Sequence, residues 1–324
     1  MKPVSKRTLA PLSVVLMTVI SAGLLSAPPA AADMAGPSLY ERDIARWQPL
    51  RRVQSREFKF LVNPKFFADG REKGFRLIWS RVKEVAARNG YTISDKDKKP
   101  FKQSFATKEY FDTPDFRLRK SGYVVRITTN YKHGKPKLPF KVTAKELSPD
   151  NLYRILGSRL DFAKGYKGKT EIEENISIAA DGSLKGYIEI ARKVKLNPAD
   201  VGAKNLDDFG KIYPALLKLG LPADTKLVAQ RAYGYKVKPG KLHLDGDKVK
   251  LEIEAWASGK DGPVYVAEVS FAIDTPDFYA MAKTHASAER FLLALGKDAA
   301  DLAFPDAPKW LGSKVRVLLN LPAK

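Results

Sequence analysis

Charged and apolar residues alternate one by one along segment after segment of this chain. Side chains of a strand point in turn to its two faces, so the pattern predicts strands with one charged and one apolar face. Glu57 and Lys59 alternate with Phe58, Phe60 and Val62, and Arg117 and Arg119 with Phe116 and Leu118. Arg126 and Thr128 alternate with Val125 and Ile127, and Lys141, Thr143 and Lys145 with Val142 and Ala144. Glu171 and Glu173 flank Ile172, while Lys248, Lys250, Glu252 and Glu254 alternate with Val249, Leu251, Ile253 and Ala255. Glu268 and Ser270 do so with Ala267, Val269 and Phe271. An open antiparallel sheet turns one such face to water, usually with small polar residues. Here bases gather on some strands and carboxylates on others, which favours a sheet closed on itself. The charges then line a shared interior, where they need one another, a metal or a ligand as partners.

Strands are predicted over 54–62, 105–112, 116–130, 139–147, 169–177, 227–238, 248–257 and 264–273. An amphipathic helix is predicted over 71–89, from the spacing of Phe75, Ile78, Val82 and Val85, with Gly90 as its stop. Two more are expected over 206–219, ending at Gly220, and 276–295, ending at Gly296. Lys96 to Lys102 reads as a solvated loop and Ser258 to Pro263 as a turn between strands.

The first residues read as a signal peptide. Lys2, Lys6 and Arg7 precede an apolar run from Leu9 to Leu25, and Ala30-Ala31-Ala32 offers a cleavage site after Ala32. The expected location is therefore periplasmic or secreted. The division of the chain is then a signal peptide at 1–32, a lead-in at 33–53, one large domain at 54–296 and an extension at 297–324. No other stretch is long and apolar enough to cross a bilayer.

The formal charge of +21 falls to +18 when residues 1 to 32, with three bases and no acid, are removed. Such an excess favours a polyanionic partner. With no cysteine, thiol catalysis and zinc-thiolate sites are excluded. The three histidines, His133, His243 and His285, are scattered and read as surface residues. Ala163 to Thr170 spells a loose phosphate-binding loop, but the strand-like Glu171-Ile172-Glu173-Glu174 follows where a helix is needed. Phe58, Phe60, Phe116 and Phe140 fall on the apolar faces, which argues for core rather than base stacking and against a nucleic-acid partner.

The run Tyr110-Phe111-Asp112-Thr113-Pro114 leading into Arg117-Leu118-Arg119 resembles the CYTH superfamily, the triphosphate tunnel enzymes. Glu57 and Lys59 are similar to the last two positions of that family's Glu-x-Glu-x-Lys start. Lys145 resembles its lysine strand, Glu171 and Glu173 its Glu-x-Glu strand, Arg231 its later arginine strand, and Glu268 its closing strand. The resemblance covers residues 54 to 296. It implies an α+β fold: an antiparallel eight-stranded β-barrel, or tunnel, with helices packed outside. It also implies that Lys59, Arg117, Arg119, Arg126, Lys145 and Arg231 hold phosphate oxygens. Glu57, Glu171, Glu173 and Glu268, with Glu252 and Glu254 in support, would hold Mg²⁺ or Mn²⁺. The chain departs from the pattern at Ser55, Ser270 and Trp256, where the family carries acids.

The function expected from the resemblance is metal-dependent hydrolysis of inorganic triphosphate, polyphosphate or a related phosphorylated compound. The alternative is a non-catalytic CYTH-like binder of polyphosphate or another polyanion, because the phosphate-gripping half is better kept than the acidic half.

Overall fold

The computed structural model describes residues 53–148, 152–274 and 282–320. The expected signal peptide, the expected lead-in up to residue 52 and the predicted helix start at 276–281 lie outside the described residues. Ten strands make up one sheet: β1 (Ser55–Val62), β2 (Thr92–Asp95), β3 (Ser104–Asp112), β4 (Tyr123–Lys132), β5 (Lys135–Ser148), β6 (Lys169–Ile178), β7 (Leu184–Leu196), β8 (Val228–Leu244), β9 (Asp247–Ala257) and β10 (Val264–Asp274). Their order is β2-β8-β3-β4-β5-β7-β6-β1-β10-β9, and β8 also pairs with β9. That extra pairing closes nine strands into a barrel and leaves β2 outside, against the far half of the long β8.

The closed barrel therefore has nine strands rather than the expected eight. The additional one is β7, inserted between β5 and β6. Its own alternation was available to be read, with Ile188, Ile190 and Val194 on one face and Tyr187, Glu189 and Lys193 on the other. Neighbours are antiparallel with one exception. β1 runs parallel to β6, with Ser55 beside Glu173.

Three predicted elements differ in detail. The strand expected from 116 starts only at Tyr123, and Arg117–Lys120 is a short helical turn, α2. The second predicted helix breaks into Leu206–Gly210 and a 3-10 turn at Pro214–Lys218, since Pro214 has no N–H with which to continue a helix. The last helix, Ala282–Asp298, runs through Gly296. A Cβ at Gly296 would come within 2.4 Å of Ile178 Cδ1, so this glycine permits close packing on β6 and is not a stop.

The apolar outer faces are buried in two cores. Helix α1 (Arg71–Arg88) and helix Ala282–Asp298 cover β1, β8, β9 and β10, where Phe58 stacks on Phe271 at 5.0 Å. On the opposite side Phe209, Tyr213 and Leu216 cover Val125, Val142 and Ile190. The Tyr213 hydroxyl donates there to the backbone oxygens of Val142 (3.1 Å) and Arg192 (3.0 Å). Arg56 lies on the outer face of β1, between Glu174 (2.6 Å) and Glu289 (3.1 Å), and so ties the last long helix to β1 and β6. His285 is buried in that helix and not at the surface. Burial and the nearby Arg56 charge push its pKa down to about 3.

Residues 299–320 fold back onto one end of the barrel. Asn63 N donates to Leu302 O (2.8 Å) and Phe304 N to Leu61 O (2.9 Å). Two short helices, Ala307–Trp310 and Lys314–Leu318, follow. They set Trp310, Val315, Val317 and Leu318 against Leu61, Tyr110, Ala232, Trp256 and Val266. Among the described residues the extension thus forms the floor of the barrel, and the interior takes the form of a cup.

Candidate anion-binding cavity

The cup encloses about 480 Å³ and is lined by ten basic and five acidic side chains. Exposed Asn130 and Lys238 mark its mouth, and Ser313, Lys314 and Val315 its floor. The strand alternation positions the wall. β4 contributes Arg126 and Thr128, β5 Lys141, Thr143 and Lys145, β7 Tyr187, Glu189 and Lys193, and β1 Glu57 and Lys59.

One lining residue is delivered by a turn. Asp112 Oδ1 accepts from the N–H groups of Thr113 (2.8 Å) and Leu118 (2.9 Å), and its Oδ2 accepts from Arg119 N (3.0 Å). Thr113 Oγ1 accepts from Arg117 N at 2.8 Å. Phe116 takes a left-handed conformation with φ of 59°, and the turn ends at Gly122, whose φ of 86° suits glycine. This tied turn aims Arg119 into the cup and Arg117 outward.

Of the residues singled out in the sequence, Lys59, Arg119, Arg126, Lys145, Glu57, Glu173, Glu254 and Glu268 line one cavity. Arg117 does not: it is exposed on the outward side of its turn, 3.9 Å from Asp115. Arg231 does not either. It shares a β8 face with Tyr235 and Val237, which pack in the outer core, and it pairs with Glu109 at 2.6 Å on the barrel's outer surface. The lumen face of β8 instead carries Gly234, Lys236 and Lys238. Glu171 and Glu252 sit at the edge of the cup, held respectively by Lys193 with Lys169 and by Lys236 with Lys238.

Two walls of the cup differ in character. On the wall of β1, β7, β9 and β10 the carboxylates are paired with ammonium groups. Lys59 meets Glu57 at 3.0 Å, Lys145 pairs with Glu189, and Lys108 pairs with Glu254. Lys314 reaches Glu268 at 2.5 Å and Glu254 at 3.0 Å. Burial raises the Glu57 pKa, but Lys59, Lys314 and Lys145 outweigh it and hold this carboxylate at about 2. Burial likewise works against ionised Glu254, yet Lys108, Lys314 and Lys236 hold it well below the usual carboxylate range.

The wall of β4 and β5 is basic and short of partners. Arg126 stands opposite Thr143, and Thr128 opposite Lys141, across the β4–β5 pair. Arg126 Nη1 donates to Tyr110 Oη at 3.2 Å, but its Nε has no partner, and neither do the buried hydroxyls of Thr128 and Thr143. Lys141 and Arg119 make no ion pair among the described residues. Burial, with the charges of Arg126, Lys145 and Lys236, pushes Lys141 down to about 8. Buried donors without acceptors are costly, so this wall has hydrogen-bonding capacity to spare.

The residues present do not fit Mg²⁺ or Mn²⁺. Hard cations take several carboxylate oxygens at once. Among the described residues no three acidic or histidine side chains converge as a metal-holding group. Of the six glutamates considered for that role, Glu173 alone lacks an ammonium partner. Glu173 faces Ser55 at 3.5 Å, and burial with the charges of Glu189 and Glu57 raises its pKa against the pull of Lys145 and Lys59.

Several cavity residues were not singled out from the sequence. Lys141 and Thr143 already stood on the charged face of β5, so the alternation was enough to find them. Glu189 and Lys193 were hidden with β7, and Lys236 lies on a strand where the resemblance pointed to Arg231 instead. Lys314 carried no sequence signal, because only the fold-back of the chain brings it inside.

No protein-family model and no curated protein matches the chain. Among solved structures it is similar to a Hippeastrum protein named for adenylyl cyclase and described as having a dominant triphosphatase activity. The identity is 12%, over 84% of this chain and 98% of that one, with a TM-score of 0.38. A Bacillus halodurans protein, also named for adenylate cyclase, is similar at 13% identity over 82% and 97% of the two chains, with a TM-score of 0.38. A Pyrococcus horikoshii protein is similar at 12% identity over 75% and 90%, with a TM-score of 0.32.

Proposed function

We propose that this chain is a divergent CYTH-type barrel whose cup receives a short phosphate chain, such as inorganic triphosphate, the end of a polyphosphate or a related phosphorylated compound. One observation carries the reading. Half-buried Arg126 and Lys141 and buried Thr128 and Thr143 form a wall in which Arg126 Nε and both threonine hydroxyls have no protein partner and Lys141 has no ion pair. Arginine offers a planar fork to phosphate oxygens and lysine a compact charge. Ten bases against five lining acids and the two at the edge, Glu171 and Glu252, leave a positive excess that suits a ligand with several negative charges. The sequence resemblance supports phosphate over other anions. The export signal read at residues 1–32 belongs to the same proposal, and it favours inorganic or organic phosphate chains over nucleoside triphosphates, which are scarce outside the cytoplasm.

Binding is the principal reading, ahead of the metal-dependent hydrolysis expected from the resemblance, because the carboxylates meet lysines. Hydrolysis is the second reading, and Glu173 favours it. A half-buried carboxyl with a raised pKa and no ion pair is suited to accept a proton from an attacking water. Calorimetric titration with tripolyphosphate, followed by a phosphate-release assay on the same mixture, tests both. The expected result is saturable binding without release. Release that Glu173→Gln abolishes would put the hydrolase first, and no binding would end the receptacle reading.

A further inference from the structure

We infer that Lys314 is a built-in cation that binds the two acidic strands together and lets the cup take its anion without a divalent metal. The inference rests on the phosphate-receptacle reading for its ligand, but its geometry is independent of that reading.

Lys314 enters the barrel from the floor. It begins the short helix Lys314–Leu318, after Gly312. Gly312 lies so close to the barrel wall that a Cβ there would come within 2.7 Å of Ser177 Cβ and 3.2 Å of Lys59 Cβ. Its φ of 65° turns the chain inward at that point. The Lys314 side chain is 7% exposed. Its ammonium contacts Glu268 Oε1 on β10 and Glu254 Oε2 on β9, which are opposite one another across that strand pair. The other oxygen of Glu254 goes to Lys108. Trp256 stands beside both lysines, with its ring 5.5 Å from the Lys314 ammonium and 5.0 Å from that of Lys108.

These contacts do what a bound cation would do. Two carboxylates on adjacent strands would repel one another in a buried site, and a positive charge between them removes the repulsion. Unlike a metal ion, this charge is covalently part of the chain, so it is present at any metal concentration. An ammonium has three donors, and these two carboxylates take two. Lys314 also lines the cavity, which leaves the remaining donor for a phosphate oxygen. The aromatic face of Trp256 suits an ammonium and offers no oxygen to a metal.

The test uses the full chain in chelator-treated buffer. Mn²⁺ binding is followed by electron paramagnetic resonance without any anion, and tripolyphosphate binding by calorimetry with chelator or with excess Mg²⁺. The wild type is expected to bind no stoichiometric Mn²⁺. Its tripolyphosphate affinity with chelator is expected to be at least as high as with excess Mg²⁺, since the site takes up no metal and Mg²⁺ competes for the free ligand in solution. Lys314→Met is expected to acquire an Mn²⁺ ion that Glu268→Gln then removes. A stoichiometric Mn²⁺ in the wild type that Glu268→Gln removes overturns the inference, with no need for the Lys314 variant to fold. An affinity that drops about tenfold or more with chelator overturns it as well. Absence of tripolyphosphate binding in both buffers ends the receptacle reading instead, and the Mn²⁺ measurement then decides the inference by itself.

Discussion

Arg126 and Arg231 are both arginines on barrel strands, yet they face opposite ways, and that difference separates a ligand-holding residue from a surface one. Arg126 is inside with a free Nε, whereas Arg231 is outside and paired with Glu109. A hydrogen bond to a charged group contributes about 1.5–3 kcal/mol, so Arg126→Ala should weaken tripolyphosphate binding by roughly ten- to a hundredfold. Arg231→Ala should change it by less than about twofold, as exposed ion pairs contribute little. Calorimetry on the two variants checks this. Lys141 gives a second expectation. Its pKa of about 8 lies below the ordinary lysine value, so the free protein loses this proton as pH rises through 8. A bound anion favours the charged form and must take the proton back. Affinity should therefore fall from pH 7 to pH 9, with proton uptake visible as a dependence of binding heat on buffer, and Lys141→Met should make the fall shallower, the rest coming from Lys108 and Lys193, which burial lowers to about 7. For stability the sign is opposite: a lysine with a lowered folded pKa destabilises the folded state below that pKa, and the penalty disappears as pH rises toward the unfolded value.

At the scale of elements, most of the barrel was legible in the sequence because the period of two survives wherever one face is charged and the other buried. β1, β3, β5, β6, β9 and β10 fall close to where that pattern puts them. It misled where the contrast between faces weakens. On β8 the lumen face carries Ala232 and Gly234, while Arg231 and Tyr233 sit on the outer face, so the arginine that the resemblance implied as a phosphate ligand lies outside. At Arg117–Lys120 two arginines two residues apart mimic a strand, but Asp112 captures three backbone N–H groups and winds the segment into a turn. That turn carries a prediction. Asp112→Ala leaves those donors unpaired and frees Arg119, so both stability and affinity should drop, by about 1–3 kcal/mol in stability. Denaturant unfolding and tripolyphosphate titration of the variant measure the two effects. If stability falls while affinity holds, Arg119 plays no part in binding.

Across the whole molecule, the sequence conveyed that bases and acids converge in one enclosed space, and it left out which of them neutralise one another. That outcome depends on contacts between segments far apart in the chain. Lys314 with Glu254 and Lys145 with Glu189 are examples, and no local pattern encodes them. The result is a cup with its acids satisfied along one wall and its donors unsatisfied along the other, closed beneath by residues 312–318. The central claim is that a phosphate chain lies against the donor-rich wall. A crystal structure of the protein soaked with tripolyphosphate tests it most directly. The account predicts phosphate oxygens within hydrogen-bond distance of Arg126, Lys141 and at least one of Thr128 and Thr143, inside the cup. Tripolyphosphate found only on the outer surface, beside Arg117 or Arg231 and with the cup empty of it, would contradict the account.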